Sequence, residues 1–568
     1  MFSPVFSIPE HRVSAWVAET DPKYASAWLA ALPLANSAES AREIYQALYT
    51  VNRLELRLGN RLELMALYTG AIATVCQGLQ PHLLHEVPPL GPKKRQLAEF
   101  IRRLHIEMAY GYKCCLRDLG RTRLSLRRKS RSANCIERAL YHLSEVLLRS
   151  YVVYLPYPSG AWREIHELYR LAESLGIVDG SVADDRRDDS GVMTINERYV
   201  RTLLLGLTNP YQLPHGAVQQ VDAFLARWAA QAQIAMLVDC TDVAGCFRVD
   251  AEADTPPMPL AKRGDYIDKN AHVLDARALL QTVQTFSQRL AQGEPIEKLG
   301  LGVDYLESTG ADLLQRMIRS WGESAHRRYA RRQQSSNVFV CAGLNAVHYY
   351  VNGQRSFATC VEALAPTSAP PPAADAGDVA FVDLDHVQHK QSDKGLSLMA
   401  PLVSTAESHR VNRWRLRDIG PQGMSLSRYG DSLASVRVGD LISVQQASDL
   451  GRWRVAVIRW VKTPEVNSVE MGCEMLAGGV SPALVRRIDG TDEQMNIFAA
   501  LLLPSAKITK HPPTLVLARG ACQVGDVIEL IDETSEPRAV RILRLLERTG
   551  SFEQVVYDEF VAPTLRRR

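Results

Sequence analysis

The chain has 568 residues, a formal net charge of +3, 46% hydrophobic residues and 23% charged residues. It is too long for one core and has the composition of an ordinary globular protein, so about three to four units of roughly 100 to 200 residues each are expected. The near-neutral balance excludes a chain that binds polyanions over its whole surface, and any anion site must come from a local concentration of arginine.

From the start to about residue 325 the apolar spacing is helical: Ile44, Leu48, Val51, Leu54 and Leu58 recur at three and four residues, as do Ile136, Leu140, Leu143 and Leu147. Ser40 stands three residues before Glu43 and Thr194 three before Glu197, both at capping-box spacing, and stops are expected at Gly176, Asn209-Pro210 and Gly302. No repeat with a period near 34 residues is found. The expectation is an all-α N-terminal domain over 1–325, a bundle or a solenoid.

Beyond residue 335 the segments become short and β-branched between glycine-containing turns: Val338 to Cys341, Trp414 to Leu416, Leu441 to Val444, Trp453 to Trp460, Val469 to Leu476, Leu515 to Leu517, Val527 to Leu530, Val540 to Leu545 and Phe552 to Tyr557. This predicts small antiparallel barrels, one over 326–495 with a Pro/Ala-rich insertion near 365–377, and a second over 496–568 beginning where a helix-like run ends near Leu503-Pro504. Val524-Gly525-Asp526-Val527-Ile528-Glu529-Leu530 echoes Val438-Gly439-Asp440-Leu441-Ile442-Ser443-Val444, which hints that a β unit has been duplicated. The fold class is therefore multidomain α+β.

Two motifs carry chemistry. Arg327, Arg328, Arg331 and Arg332 crowd one basic stretch just ahead of the first predicted strand. Guanidinium is planar, permanently charged and forked, so it pairs bidentately with phosphate or with guanine O6/N7 and stacks on base faces. The plainer reading is a solvated basic cap at the end of a helix, where cations oppose the macrodipole. After the alternating run Arg413-Trp414-Arg415-Leu416-Arg417 comes Asp418-Ile419-Gly420-Pro421-Gln422-Gly423, a carboxylate followed by a tight glycine turn. The carboxylate could accept from a guanine N1/N2 edge, and the plainer reading here is an ordinary β-turn.

The arginine pair and the Asp418 turn together resemble the PilZ domain, a small β-barrel receptor for bacterial cyclic di-GMP, whose signature is RxxxR before the first strand and (D/N)xSxxG after a later one. Arg328 and Arg332, or Arg327 and Arg331 in the neighbouring frame, match the first part, and Asp418 and Gly423 match the second. The strands Val438 to Val444, Arg452 to Trp460 and Val469 to Leu476 resemble the second half of such a barrel. The chain departs from the pattern in having Gly420 where the family has serine, and in separating its two motifs by more than eighty residues. A long loop is tolerable, because each doubling of its length costs only about 0.6 kcal/mol. The resemblance implies cyclic di-GMP as ligand, held by Arg327, Arg328, Arg331, Arg332, Asp418, Gly420 and Gly423, with no cofactor. It also implies an output in pilus, surface-motility or biofilm control. A non-enzymatic effector would use the helical domain as its protein-partner surface; the alternative is a scaffold or adaptor whose PilZ-like barrel has lost its ligand.

Other candidates read as structural. The ten cysteines, Cys76, Cys114, Cys115, Cys135, Cys240, Cys246, Cys341, Cys360, Cys473 and Cys522, form no CxxC pair, which argues against a zinc ribbon or a disulfide framework. Asp383, Asp385, His386 and His389 have metal-like composition but no recognised ligand spacing, and Asp184 to Asp189 reads as a polar loop. Arg121, Arg123, Arg127, Arg128, Lys129 and Arg131 form a basic run without interleaved aromatics, so a solvated face is expected in preference to a nucleic-acid site. No GxSxG, Walker A, HExxH, GGDEF or EAL motif is present, which makes an enzyme unexpected. No run of about 18 uninterrupted apolar residues occurs and Met1-Phe2-Ser3-Pro4-Val5 is not a secretory leader, so the expected location is the cytoplasm. Partner identity and oligomeric state are not readable from the sequence.

Overall fold

The computed structural model describes all residues except 1–6, 13–16, 34–35, 85, 123–124, 184–191, 237–243, 261–271, 300–309, 323–330, 365–408, 431–434, 448, 450, 478, 488–496, 506–511, 533–535 and 561–568. Residue contacts divide the chain into two compact units, Met1–Ser336 with Trp414–Asp440 and Val457–Met475, and Asn337–Arg413 with Leu441–Ala456 and Leu476–Arg568.

The N-terminal region is helical. Its centre is the pair Pro92–Gly120 and Leu126–Val152, against which Ser37–Arg53, Leu58–Leu79, Ala161–Leu175 and Ile195–Leu207 pack. Ile136, Leu140, Leu143 and Leu147 line the buried side of the second of these helices, as their spacing predicts. Thr194 and Glu197 form the predicted reciprocal capping box. Ser40 does not cap: Asn36 does so, accepting from the Glu39 amide, while Ser40 is buried one turn inside and donates to the Pro33 carbonyl at 2.9 Å. The Ile44-to-Leu58 stripe also breaks, because the helix stops at Arg53 and Leu58 opens the next one. Gly176 ends its helix at φ +62°, a left-handed conformation that glycine adopts without strain. Leu58–Leu79 is long and apolar enough to cross a membrane by length and composition, and here it packs against Ser37–Arg53 and Pro92–Gly120.

Buried charges in this region are paired, as desolvation requires. Glu137 receives two bonds from Arg198, at 3.0 and 2.9 Å, and Glu107 receives a two-nitrogen grip from Arg53 at 3.1 Å each. The helical region also holds short strands that the sequence pattern does not announce, a four-stranded sheet built from Gln233–Met236, Cys246–Val249, Met258–Pro259 and His272–Asp275.

Two closed six-stranded antiparallel barrels follow. The first uses β1 (Arg332–Ala342), β2 (Asn412–Gly420), β3 (Gly423–Tyr429), β4 (Leu441–Gln446), β5 (Arg454–Lys462) and β6 (Ser468–Met475), in the order β4-β5-β6-β3-β2-β1. The second uses β7 (Ser481–Arg487), β8 (Ile497–Leu503), β9 (Thr514–Leu517), β10 (Val527–Asp532), β11 (Arg538–Arg548) and β12 (Glu553–Glu559), in the order β7-β8-β9-β12-β11-β10. The two orders are the same topology, since adding six to each label of the first barrel reproduces the second. Ile497–Leu503, expected to be helix-like, is a strand, and Ser481–Arg487, expected in the middle barrel, is hydrogen-bonded into the C-terminal one.

The echoed Val-Gly-Asp turns match bond for bond. In the first, Gly439 sits at φ +93°, its amide donates to Ile458 at 2.8 Å, and the Asp440 carboxylate accepts from the Arg437 amide at 2.8 Å. In the second, Gly525 sits at φ +98°, its amide donates to Ile542 at 2.8 Å, and Asp526 accepts from the Gln523 amide at 2.8 Å. Only glycine takes that φ without strain, and the carboxylate fixes the turn.

Within the first unit, the turn after β5 is held by the helical region. Arg95 donates to the carbonyls of Thr463, Glu465 and Pro464 at 3.1, 2.7 and 3.1 Å, and the Thr463 amide donates to Tyr154 at 3.0 Å.

Candidate ligand-binding site

Along β2, Trp414 and Leu416 point into the barrel while Arg413, Arg415 and Arg417 are exposed. Unbroken alternation would send Asp418 inward, where an isolated carboxylate is very costly. A bulge at Arg417 prevents this: Leu416 pairs with Leu426, and the next pair is Asp418 with Ser425, so one residue is inserted and Asp418 is turned to the outer face. Ile419 and Met424, then Gly420 and Gly423, complete the ladder up to the two-residue Pro421-Gln422 turn.

At that place Asp418 meets the arginine stretch. Arg331, immediately before β1, donates from Nη1 to Asp418 Oδ1 at 2.8 Å, across 87 residues of sequence. Ser425 donates from Oγ to Oδ2 at 2.6 Å. Each carboxylate oxygen thus has a donor, and the pair is only partly sheltered, with Arg331 26% and Asp418 30% exposed. Ser425 supplies a hydroxyl to the carboxylate in a turn whose family serine position is Gly420.

Gly423 is required by close approach. A Cβ there would collide with the Cys473 carbonyl oxygen on β6 and stand 3.4 Å from Arg331 Nη2. The Met475 amide, donating to Gln422 at 2.9 Å, holds the strands at that separation. Burial pushes the Cys473 thiol up to about 12, so it stays neutral beneath Arg331 and the anion that arginine engages is Asp418.

Arginines surround this centre. Arg415 donates twice to Ser335 at 3.1 and 2.9 Å, Arg417 pairs with Glu470, and Arg459 pairs with Glu474 at 2.6 Å. Arg332 opens β1 with its side chain exposed. Arg331 is therefore brought to Asp418 and Gly423, which favours the Arg327/Arg331 frame, and Gly420 closes the same hairpin. Arg327 and Arg328 lie outside the described residues, as do Asp383, Asp385, His386, His389 and the Asp184-to-Asp189 run.

Models of one protein family account for almost the whole chain. Those described as the N-terminal domain, the middle PilZ domain and the C-terminal β-barrel domain of the cyclic-di-GMP receptor FimW match residues 23–238, 246–482 and 483–560. The chain belongs to this PilZ-domain receptor family. It is 27% identical over 559 residues to the cyclic-di-GMP receptor FimW of Pseudomonas aeruginosa, an alignment covering 95% of this chain and 90% of that one. The FimW middle-domain match contains Arg331, Asp418, Gly423 and Ser425, and the C-terminal match begins within β7.

Sequence reasoning missed Ser425, because its meeting with Asp418 depends on a bulge that no local pattern announces. It also missed Gly472, which lies opposite Ser425 on β6 and is covered by the Trp460 indole. Alternation of Glu470, Gly472 and Glu474 with apolar Met471 and Cys473 was the available signal.

Proposed function

We propose that this chain is a cyclic di-GMP receptor, acting in the cytoplasm, that couples the ligand's level to a protein partner in pilus, motility or biofilm control. The observation that carries the reading is the meeting of Arg331 with Asp418 and Ser425 on the outer face of a PilZ barrel, despite the long sequence between them. Cyclic di-GMP offers two phosphates and two guanines, and forked guanidiniums at Arg331 and Arg332, with Arg327 and Arg328 upstream, suit both. Asp418 aims Arg331 until ligand arrives; when Arg331 turns to the ligand, Oδ1 is released to accept from a guanine N1/N2 edge. Gly420 and Gly423 keep the approach free of side chains. The helical region, 1–325, is the proposed partner surface, 326–495 the sensor and 496–568 a structural barrel.

Isothermal titration of the intact chain with cyclic di-GMP tests this. Saturable heat at micromolar protein is expected, and a folded chain that gives none removes the reading.

One observation favours a second reading, a ligand-free adaptor: Arg331 and Asp418 already satisfy each other. Arg331→Ala with Arg332→Ala separates the two. A receptor loses nucleotide-dependent partner capture in this variant, whereas an adaptor captures its partner equally with and without nucleotide.

A further inference from the structure

Glu470, Gly472 and Glu474 share one face of β6, and buried Met471 and Cys473 the other. Gly472 pairs with Ser425, and Ser425 pairs with Asp418, so the three lie in one row across the outer face. Trp460 on β5, the neighbouring strand, extends the row. Its Nε1, Cε2 and Cδ1 atoms fill the space that a side chain at residue 472 would take, and the residue is only half-buried. An indole thus rests on bare backbone beside the Arg331–Asp418 pair.

We infer that Trp460 is a base-stacking platform for a guanine of the bound dinucleotide, and that Gly472 is glycine so that the ring can lie flat against the barrel. This rests on the proposed receptor function and adds a position to it. Strands lie about 4.8 Å apart, so an indole over Gly472 is two spacings, roughly 10 Å, from Asp418. That matches the reach of a single guanylate from base to phosphate. A base on the indole would place its phosphate side near Arg331, and stacking needs no hydrogen-bond donor from the ring. The competing explanation is purely structural: an aromatic that covers a glycine in a strand stabilises the sheet.

The experiment uses the intact chain, Trp460→Phe and Trp460→Ala, each titrated with cyclic di-GMP by calorimetry and by tryptophan emission, with thermal unfolding recorded in parallel. Trp460→Ala is expected to weaken binding about 5- to 150-fold, the range one stacked base supplies, and Trp460→Phe to retain most of the affinity. A stacked guanine quenches indole emission. Although the chain holds eight tryptophans, ligand-induced quenching should therefore vanish in Trp460→Phe while binding persists. If the natural chain binds and Trp460→Ala binds within about twofold of it, the platform is overturned and the receptor reading stands. A lowered unfolding midpoint with unchanged affinity overturns it in the same way, with Trp460 reduced to a cover for Gly472. If the natural chain does not bind, both readings fall.

Discussion

At the level of single residues, the site depends on where backbone and side chains are allowed to be. Gly423 has no room for a methyl group because the obstacle is the carbonyl of Cys473, a backbone atom that cannot rotate away. Gly423→Ala is expected to destabilise the chain by about 1 to 3 kcal/mol, as overpacking does, read as a lower midpoint in urea. Asp418 and Gly423 were legible because a short motif names both. Ser425 was not, since its partner is set by one inserted residue in the facing strand. The choice between Arg331 and Arg332 was equally hidden: two arginines in adjacent frames look alike until strand β1 fixes which of them precedes the ladder.

At the level of elements, the β-branched runs and the Val-Gly-Asp turns predicted the strands well, because period-two patterning and glycine turns are local signals. Ile497–Leu503 misled because Ile-Phe-Ala-Ala-Leu-Leu-Leu is continuously apolar, and such a run fits a buried strand as well as a helix. The strands between Gln233 and Asp275 are only two to four residues long, too short for a period to show. The turn after β5 is an element joint that no pattern predicts, since three carbonyls converge on one arginine from far away in sequence. Arg95→Ala leaves those carbonyls without their guanidinium and is expected to cost about 1 to 3 kcal/mol. Hydrogen exchange should show it as faster exchange at the Thr463 and Ser468 amides, with the second barrel unaffected.

For the whole molecule, buried histidines tie stability to pH. His166 is buried against Tyr199 and Thr255, and burial holds its folded-state value below the usual 6.5 despite the Thr255 carbonyl and the charges of Asp250 and Asp254. A depressed value means its contribution is present above 6.5 and lost as the pH falls through the lowered one. His348, donating to the Ala483 carbonyl, works in the same direction. His272 is opposite: its bond to Glu173 raises it, so its contribution is present below 6.5 and lost as the pH rises through the raised value. Thermal unfolding from pH 7 to pH 5 should therefore show a falling midpoint that is less steep in His166→Gln. That variant should also be less stable at pH 7.

The shared topology of the two barrels is the largest feature that a seven-residue echo foretold, whereas the ligand site belongs to the first barrel alone. The most direct measurement is a calorimetric titration of cyclic di-GMP into the intact chain and into Arg331→Ala, with unfolding curves confirming that both are folded. The account predicts saturable binding by the natural chain and a loss of about 10- to 150-fold in the variant, the worth of a charge-assisted bond. Equal affinity in the two, or no binding by the natural chain, would contradict it.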